Sequence, residues 1–324
     1  MRILSGIQPT GSIHIGAYIG AVSQWKELQE KGECIFFIAD LHSLTVPQEP
    51  KSFQKAVLNT AVELLAAGLN PEKCLIFVQS QIKEHTELCW LLSALTPVGE
   101  LGRMTQFKEK AKQFKQNINA GLLNYPILQA ADILLYQTDS VPVGKDQIQH
   151  LELTKNLARK FNQRYGVTFR VPEALILQTG AKIMALNDPK KKMSKSQPQT
   201  CLYIFDEPDV IKKKIMMATT DLGKNVKYDP VKKPGIANLL AIFSLLGGKS
   251  IAEIEKKFKG KGYADFKKQL VELLILKLEP FRRKKKELLA REVYIKEILE
   301  QGRKRAQVLA QATMNEVRKK MGLV

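Results

Sequence analysis

The chain has 324 residues, 44% hydrophobic and 26% charged, enough for a large core and for two domains. It contains no run of about 18 apolar residues, which excludes a membrane-spanning helix, and the N-terminus enters strand text at once, without a signal-peptide layout. The formal net charge is +19, which points to a polyanionic partner, nucleic acid first, against the alternative of a solvated basic surface. From Ile251 to Val324 there are 20 Lys+Arg and 10 Asp+Glu, so this last quarter carries +10 of that excess. Four cysteines (Cys34, Cys74, Cys89, Cys201) lie scattered with no C-x-x-C and read as buried thiols of a cytoplasmic protein. The four histidines are far apart and lack ligand spacing, so no metal site is expected.

In chain order, Ile3–Ile7 reads as a buried strand, followed by a turn through Pro9, Thr10, Gly11 and Ser12. Ile13, Ile15, Tyr18, Ile19, Val22, Trp25 and Leu28 then recur at helical spacing as far as Gly32. Cys34–Ala39 is a second buried strand, Phe53–Leu65 an amphipathic helix and Leu75–Val78 a third strand. Strands that are continuous apolar runs, alternating with helices, predict a parallel sheet covered on both faces. Ligands sit at the carboxyl ends of such strands, which places Gly6, Asp40 and Gln79 on one rim. Helical, increasingly basic text runs from Thr86 to Ala120, and a helix from Ile127 to Gln137. Ser140–Val143 is another strand, and a long helix covers Ile148–Arg164. Val171–Met184 is apolar but irregular. Beyond Pro198 strand text fades into helices, Asp209–Met217, Ile236–Leu246, Ile251–Phe258, Ala264–Phe281 and a last one to Met321.

Strand, Gly-rich turn, helix is the plan of a phosphate-binding turn, because free N–H groups at a helix start attract an anion. His14 can donate to a phosphate there, and Gly16 leaves a flat surface for a purine ring. Tyr125, Gln129 and Asp132 fall at i, i+4 and i+7, on one face of a helix that is apolar on nearly all sides. A buried Asp132 needs donors, either structural ones or a ligand's N–H, O–H or ammonium group. Lys192-Met193-Ser194-Lys195-Ser196 carries two lysines three apart that could face one polyphosphate; the alternative is a solvated loop.

The ordered pair, His14-Ile15-Gly16 after the first strand and the lysine run at 192–196, resembles the HIGH and KMSKS motifs of class I aminoacyl-tRNA synthetases, the second letter for letter. Over nearly its whole length the chain resembles the bacterial tryptophanyl-tRNA synthetase family. Matching stretches include Ser5–Thr10, Arg103–Glu109, Ala130–Tyr136, Val141–Gly144, Pro234–Leu240 and Gly260–Tyr263. The tyrosyl relatives usually have Tyr where this chain has Leu4 and an acid where it has Gln8; Leu4 suits an indole face.

The resemblance implies a Rossmann-like α/β catalytic domain (1–190) with the HIGH-type motif and dimer-interface helices near 86–135. The KMSKS loop and an all-helical anticodon-binding domain (191–324) follow, the last helix packing back on the catalytic domain. It implies formation of tryptophanyl-adenylate from L-tryptophan and ATP with Mg2+, then transfer to the 3′ end of tRNA(Trp), by a homodimer with no tightly bound cofactor. Gln8, Pro9, Thr10, Gly16 and Ala17 would line the ATP site, with His14 donating to phosphate. Gly144, Lys145, Asp146 and Ile183 would hold ribose and adenine. Lys192 and Lys195, in the loop with Met193, Ser194 and Ser196, would close on the pyrophosphate. Asp132 would accept from the indole N–H, Tyr125 and Gln129 would bind the ammonium end, and Leu4, Gly6, His42, Val141, Val143 and Gln147 would complete the amino-acid pocket. Arg282, Arg283, Lys284, Lys285 and Lys286 are the candidate tRNA contacts, against a solvated helix face.

Three positions depart from the family text: Ala17, where a side-chain contact to ATP is lost and backbone must serve; Gln129, where many members have Met; and Lys145, where Glu is frequent. The alternatives are a tyrosine–tRNA ligase, a catalytically idle tRNA-binding paralogue, and a small-molecule adenylyltransferase, which would lack the second lysine loop and the helical domain.

Overall fold

The fold is that of a computed structural model describing residues 1–108, 118–144, 147–176, 183–194 and 198–323. Five parallel strands, β1 (Arg2–Ile7), β2 (Glu33–Ile38), β3 (Cys74–Val78), β4 (Ser140–Val143) and β5 (Glu173–Ile176), lie in the order β3-β2-β1-β4-β5. The strand order reverses between β1 and β4, so a crevice opens at their carboxyl ends. Residues of β2 alternate between faces: Cys34, Phe36 and Ile38 enter one core, Ile35 and Phe37 the other. β5 fell within text read as irregular. It is an edge strand with a half-exposed pattern, which leaves little hydrophobic signature.

The described helices are α1 (Ile15–Ala17), α2 (Ser23–Leu28), α3 (Asp40–Ser43), α4 (Pro50–Ala66), α5 (Glu84–Ser93), α6 (Val98–Gly102), α7 (Ala120–Leu135), α8 (Ile148–Tyr165), α9 (Pro208–Met217), α10 (Pro234–Gly247), α11 (Ile251–Lys257), α12 (Tyr263–Leu289) and α13 (Glu292–Met321). The single first helix expected from the periodicity is split by a π-helical turn at Tyr18–Val22. The helix expected from Ile127 begins earlier, at Ala120. Asn119 caps it by accepting from Leu122 N–H, and Pro126 lies inside it. Pro126 has no N–H to give, so the helix forgoes one backbone hydrogen bond at a position buried from Tyr125 to Ile127. α12 likewise runs past its expected end at Phe281, through Pro280.

The core on one sheet face continues into α10–α12 through Ile236, Leu240, Phe266, Leu270 and Leu274. The other holds α5, α7, α8 and the distal half of α13 (Ala306, Ala310, Met314, Val317). α13 thus crosses the exposed flank of β3. A Cβ at Gly302 would stand 1.9 Å from the Ile76 carbonyl oxygen, so only glycine permits this approach. Arg318 anchors the far end with a bidentate pair to Glu87 of α5 (2.7 and 2.5 Å).

Candidate active site

At the β1/β4 reversal lies a cavity of about 380 Å3. Its lining comes from β1 and the residue that follows it (Leu4, Gly6, Gln8), from β4 and the residue that follows it (Val141, Val143, Gly144), from α7 (Tyr125, Gln129, Asp132), and from His42 and Gln147. All nine residues that the resemblance assigned to the amino acid face this one space. Phe37 and Gln106 line it too and carried no role in the sequence reading. Phe37 is the register partner of Gly6, and a Cβ at Gly6 would lie 2.6 Å from its ring. That glycine is the only trace Phe37 leaves in the sequence. Gln129 donates to Gln147 (3.4 Å), and the Tyr125 hydroxyl sits 3.3 Å from Gln106 Oε1 and 3.0 Å from His150 Nε2.

Asp132 is 1% exposed. Its Oδ2 accepts from His42 Nε2 at 2.7 Å, and its Oδ1 from Gln79 Nε2 at 2.7 Å and His85 Nδ1 at 2.6 Å. Both structural donors and a cavity therefore meet at this carboxylate. Burial works to raise its pKa, but the hydrogen bonds from His42 and His85 prevail and bring it to about 2. Tyr136 Oη lies 2.8 Å from His85 Nε2. Burial, then the Asp132 charge, pushes the phenol well above its ordinary value, so it remains a donor. The pattern assigns the His85 proton to Nδ1, aimed at Asp132. Histidines distant in sequence thus converge, though as hydrogen-bond partners. Among the described residues no group of three or more His, Cys, Asp or Glu could hold a metal. Asp40 accepts from Ser80 N–H (2.9 Å), which ties the segment after β2 to the segment after β3.

His14 is the N-cap of α1: its Nδ1 accepts from Ala17 N–H at 3.1 Å, which leaves the ring proton on Nε2. The Ala17 amide also reaches the His14 carbonyl (2.9 Å), so the backbone group expected to serve ATP at Ala17 is already engaged within the turn. A short antiparallel pairing, Met184 with Lys192, holds the lysine turn; Met193 N–H donates to the Ile183 carbonyl (3.2 Å) and Ala185 N–H to Lys191 (2.9 Å). Ile183 stands over Gly16, whose Cβ would come within 3.4 Å of it. Ile183 thus links the two motifs, some 180 residues apart in sequence: it packs on Gly16 and accepts from Met193. Lys192 and Ser194 are exposed and Met193 is buried. Asn238 of α10, buried, clamps the pairing by accepting from Met184 N–H (2.8 Å) and donating to its carbonyl (3.0 Å). Asn238 lay inside a matching stretch, yet nothing in its spacing pointed to this bond. Pro9 is buried beside the turn and Thr10 exposed on it. Lys145, Asp146, Lys195 and Ser196 lie outside the described residues.

Two of the candidate tRNA contacts are corrected. Arg282 is 8% exposed and donates to the Ile275 carbonyl (2.8 Å) and Glu279 (2.7 Å). Lys285 donates to the buried Glu63 (2.6 Å) and lies 4.6 Å over the Phe205 ring. Five consecutive basic residues on a helix point in every direction, so some must face inward. Arg283 and Lys286 are exposed, and exposed Lys284 pairs with Glu287 at 3.3 Å.

A family model described as class I tRNA synthetases (W and Y) matches residues 1–279. The tryptophan–tRNA ligase of Caldanaerobacter subterraneus subsp. tengcongensis is 49% identical over 100% of this chain and 98% of its own length. The crystal structure of tryptophanyl-tRNA synthetase from Mycoplasma pneumoniae superposes with a TM-score of 0.88 at 36% identity, covering 100% of this chain and 98% of that one. The Campylobacter jejuni tryptophanyl-tRNA synthetase complexed with ADP and tryptophan gives 0.87 at 36% identity, over 99% of this chain and 100% of that one. On a site of this geometry and matches of this extent, the chain belongs to the class I tRNA synthetases and, within them, to the tryptophan–tRNA ligases.

Proposed function

We propose that the chain activates L-tryptophan with the magnesium complex of ATP and transfers it to tRNA(Trp). One observation carries this reading: Ile183, bonded to the lysine turn through Met193, packs over Gly16 of the His14 turn, and the strand that leads into that turn lines a 380 Å3 cavity bordered by an anionic carboxylate. The tryptophan carboxylate attacks the α-phosphorus, the α–β phosphoanhydride breaks, and pyrophosphate leaves with both bridging electrons. A ribose hydroxyl of the terminal tRNA adenosine then attacks the mixed anhydride and expels AMP. The substrate carboxylate is already an anion, so the protein supplies position and charge rather than a nucleophile. His14 Nε2–H and Lys192, joined by Lys195, meet the triphosphate; Gln8, Pro9, Thr10, Gly16, Gly144 and Ile183 shape its bed. Asp132 accepts from the indole N–H while apolar Leu4, Val141 and Val143 hold the ring.

Amino-acid-dependent exchange of pyrophosphate with ATP, run with all standard amino acids, tests this. Exchange with tryptophan alone is expected; exchange with tyrosine but not tryptophan overturns the choice of substrate, and none with any amino acid overturns catalysis.

The division into 1–190 and 191–324 belongs to the same proposal, as does a homodimer. Trp90 is 75% exposed, Val98 71%, Leu44 56% and Ile118 54%. Leu44 shares a groove with Cys89, and Asn119, beside Ile118, donates to the Thr45 carbonyl at 3.2 Å. Exposed apolar side chains of this kind, with Leu44 and Ile118 among them brought near one another through Thr45 and Asn119, suit burial against a second copy. Arg283, Lys284 and Lys286 remain as tRNA contacts, supplying salt-dependent affinity. Sedimentation with and without tRNA tests both parts, since a monomer, or a dimer that binds no tRNA, would remove one of them.

A further inference from the structure

Glu63 of α4 is 1% exposed and borders no described cavity, yet its carboxylate gathers four donors. Oε1 accepts from Ser12 Oγ at 2.5 Å, Asn59 Nδ2 at 3.0 Å and Lys285 Nζ at 2.6 Å; Oε2 accepts from Ile13 N–H at 2.8 Å. Ser12 and Ile13 immediately precede His14. Lys285 stands 222 residues from Glu63, on α12 of the helical half. On its other side Ile13 accepts from Ile204 N–H (3.1 Å), and Ile15 N–H donates to the Leu202 carbonyl (2.8 Å). The backbone on both sides of His14 is therefore tied down, and Glu63 supplies the tie to α4.

We propose that Glu63 is a positioning residue for the His14 turn and that Lys285 is its counter-charge, so that α12 of the helical half sets the turn's geometry toward ATP. The physical requirement is simple. A carboxylate this buried is costly to fold in unless a cation and enough donors face it. Lys285 is the cation, and the Phe205 ring 4.6 Å from its ammonium steadies it. With the charge in place, the carboxylate holds Ser12 and Ile13, and with them the cap in which His14 Nδ1 accepts from Ala17 N–H. Without Lys285 the carboxylate loses its counter-charge and one of its four donors, and it turns away from one of the two turn donors. Asp132 is too far along a different face to share these partners: its donors are His42, Gln79 and His85. The defect should thus fall on ATP and spare tryptophan. The proposal rests on reading the His14 turn as part of the ATP site.

The test uses the full chain, with pyrophosphate exchange for ATP kinetics and direct titration for tryptophan affinity. Glu63→Gln keeps the shape but presents an amide to donors, and about a 10- to 100-fold fall in kcat/KM for ATP is expected, with tryptophan affinity within about twofold. Lys285→Met should fall in the same direction and Lys285→Arg should recover most of the loss. Glu63→Gln/Lys285→Met should be no worse than Glu63→Gln alone, because the charge that Lys285 balances is gone. His14→Ala is measured alongside: if it leaves ATP kinetics unchanged, the ATP reading of the turn fails. If His14→Ala impairs ATP use but Glu63→Gln and Lys285→Met do not, the positioning role fails while that reading stands. Equal losses for ATP and tryptophan also overturn it. Should Glu63→Gln not fold, half-buried Lys285 carries the test with the same two readouts.

Discussion

Asp132 and Glu63 are both 1% exposed and both accept from several donors. Their surroundings differ. The donors of Asp132 all come from one side of the sheet, and beyond them a cavity of about 380 Å3 begins. Those of Glu63 come from the His14 turn, from its own helix and from α12, and they enclose it. A buried carboxylate beside a void is poised to receive a ligand, whereas one enclosed by donors from distant segments acts as a joint. Burial and anionic charge alone would have classed them together.

The largest effect expected separates them directly. Asp132→Ala should weaken tryptophan binding by at least about 100-fold and, by leaving His42, Gln79 and His85 without an acceptor, cost about 3–5 kcal/mol of stability. ATP binding should persist. Titration of each substrate checks this, and equal weakening of both would reduce Asp132 to a structural group like the one with which it is compared.

Asn238→Ala should have an intermediate effect. It removes both hydrogen bonds that hold Met184 beside the lysine turn, at about 1–3 kcal/mol. Activation should slow about tenfold, since small misplacements are amplified at the reacting centre, while tryptophan affinity stays put. Single-turnover adenylate formation would show it; an unaltered rate would mean that the turn is placed without α10.

The smallest effect lies in acid. Asp132 moves from an ordinary 3.8 to about 2 in the folded protein, so its contribution is fully present above 3.8 and is lost as pH falls toward 2. The amount is on the order of 2 kcal/mol. Stability of the native chain should therefore drop more steeply over that window than that of Asp132→Asn. Parallel curves would show that the carboxylate gains nothing from His42 and His85.

Much of the site was legible because its residues sit in short, spaced signatures. His14 and Gly16 follow a strand, and Tyr125, Gln129 and Asp132 repeat along one helix face. Lys192 falls in a five-residue run. His85, Gln79 and Asn238 were not legible as partners, since one polar residue in an apolar element looks the same whether it binds a carboxylate or water. Lys285 misled for the same reason: a basic run predicts charge, not the direction in which each side chain points.

By itself the sequence determined the alternation of strand and helix, the parallel sheet and the positions of the two turns that carry His14 and Lys192. These follow from local periodicity and from glycine and lysine placement, which a chain carries in consecutive residues. Only the tertiary structure decided that β5 closes the sheet edge, that α13 shields β3 through Gly302, and that Glu63 joins residues 12, 13 and 285. Those depend on close approach between segments far apart in the chain, where register, not composition, selects which donor meets which acceptor.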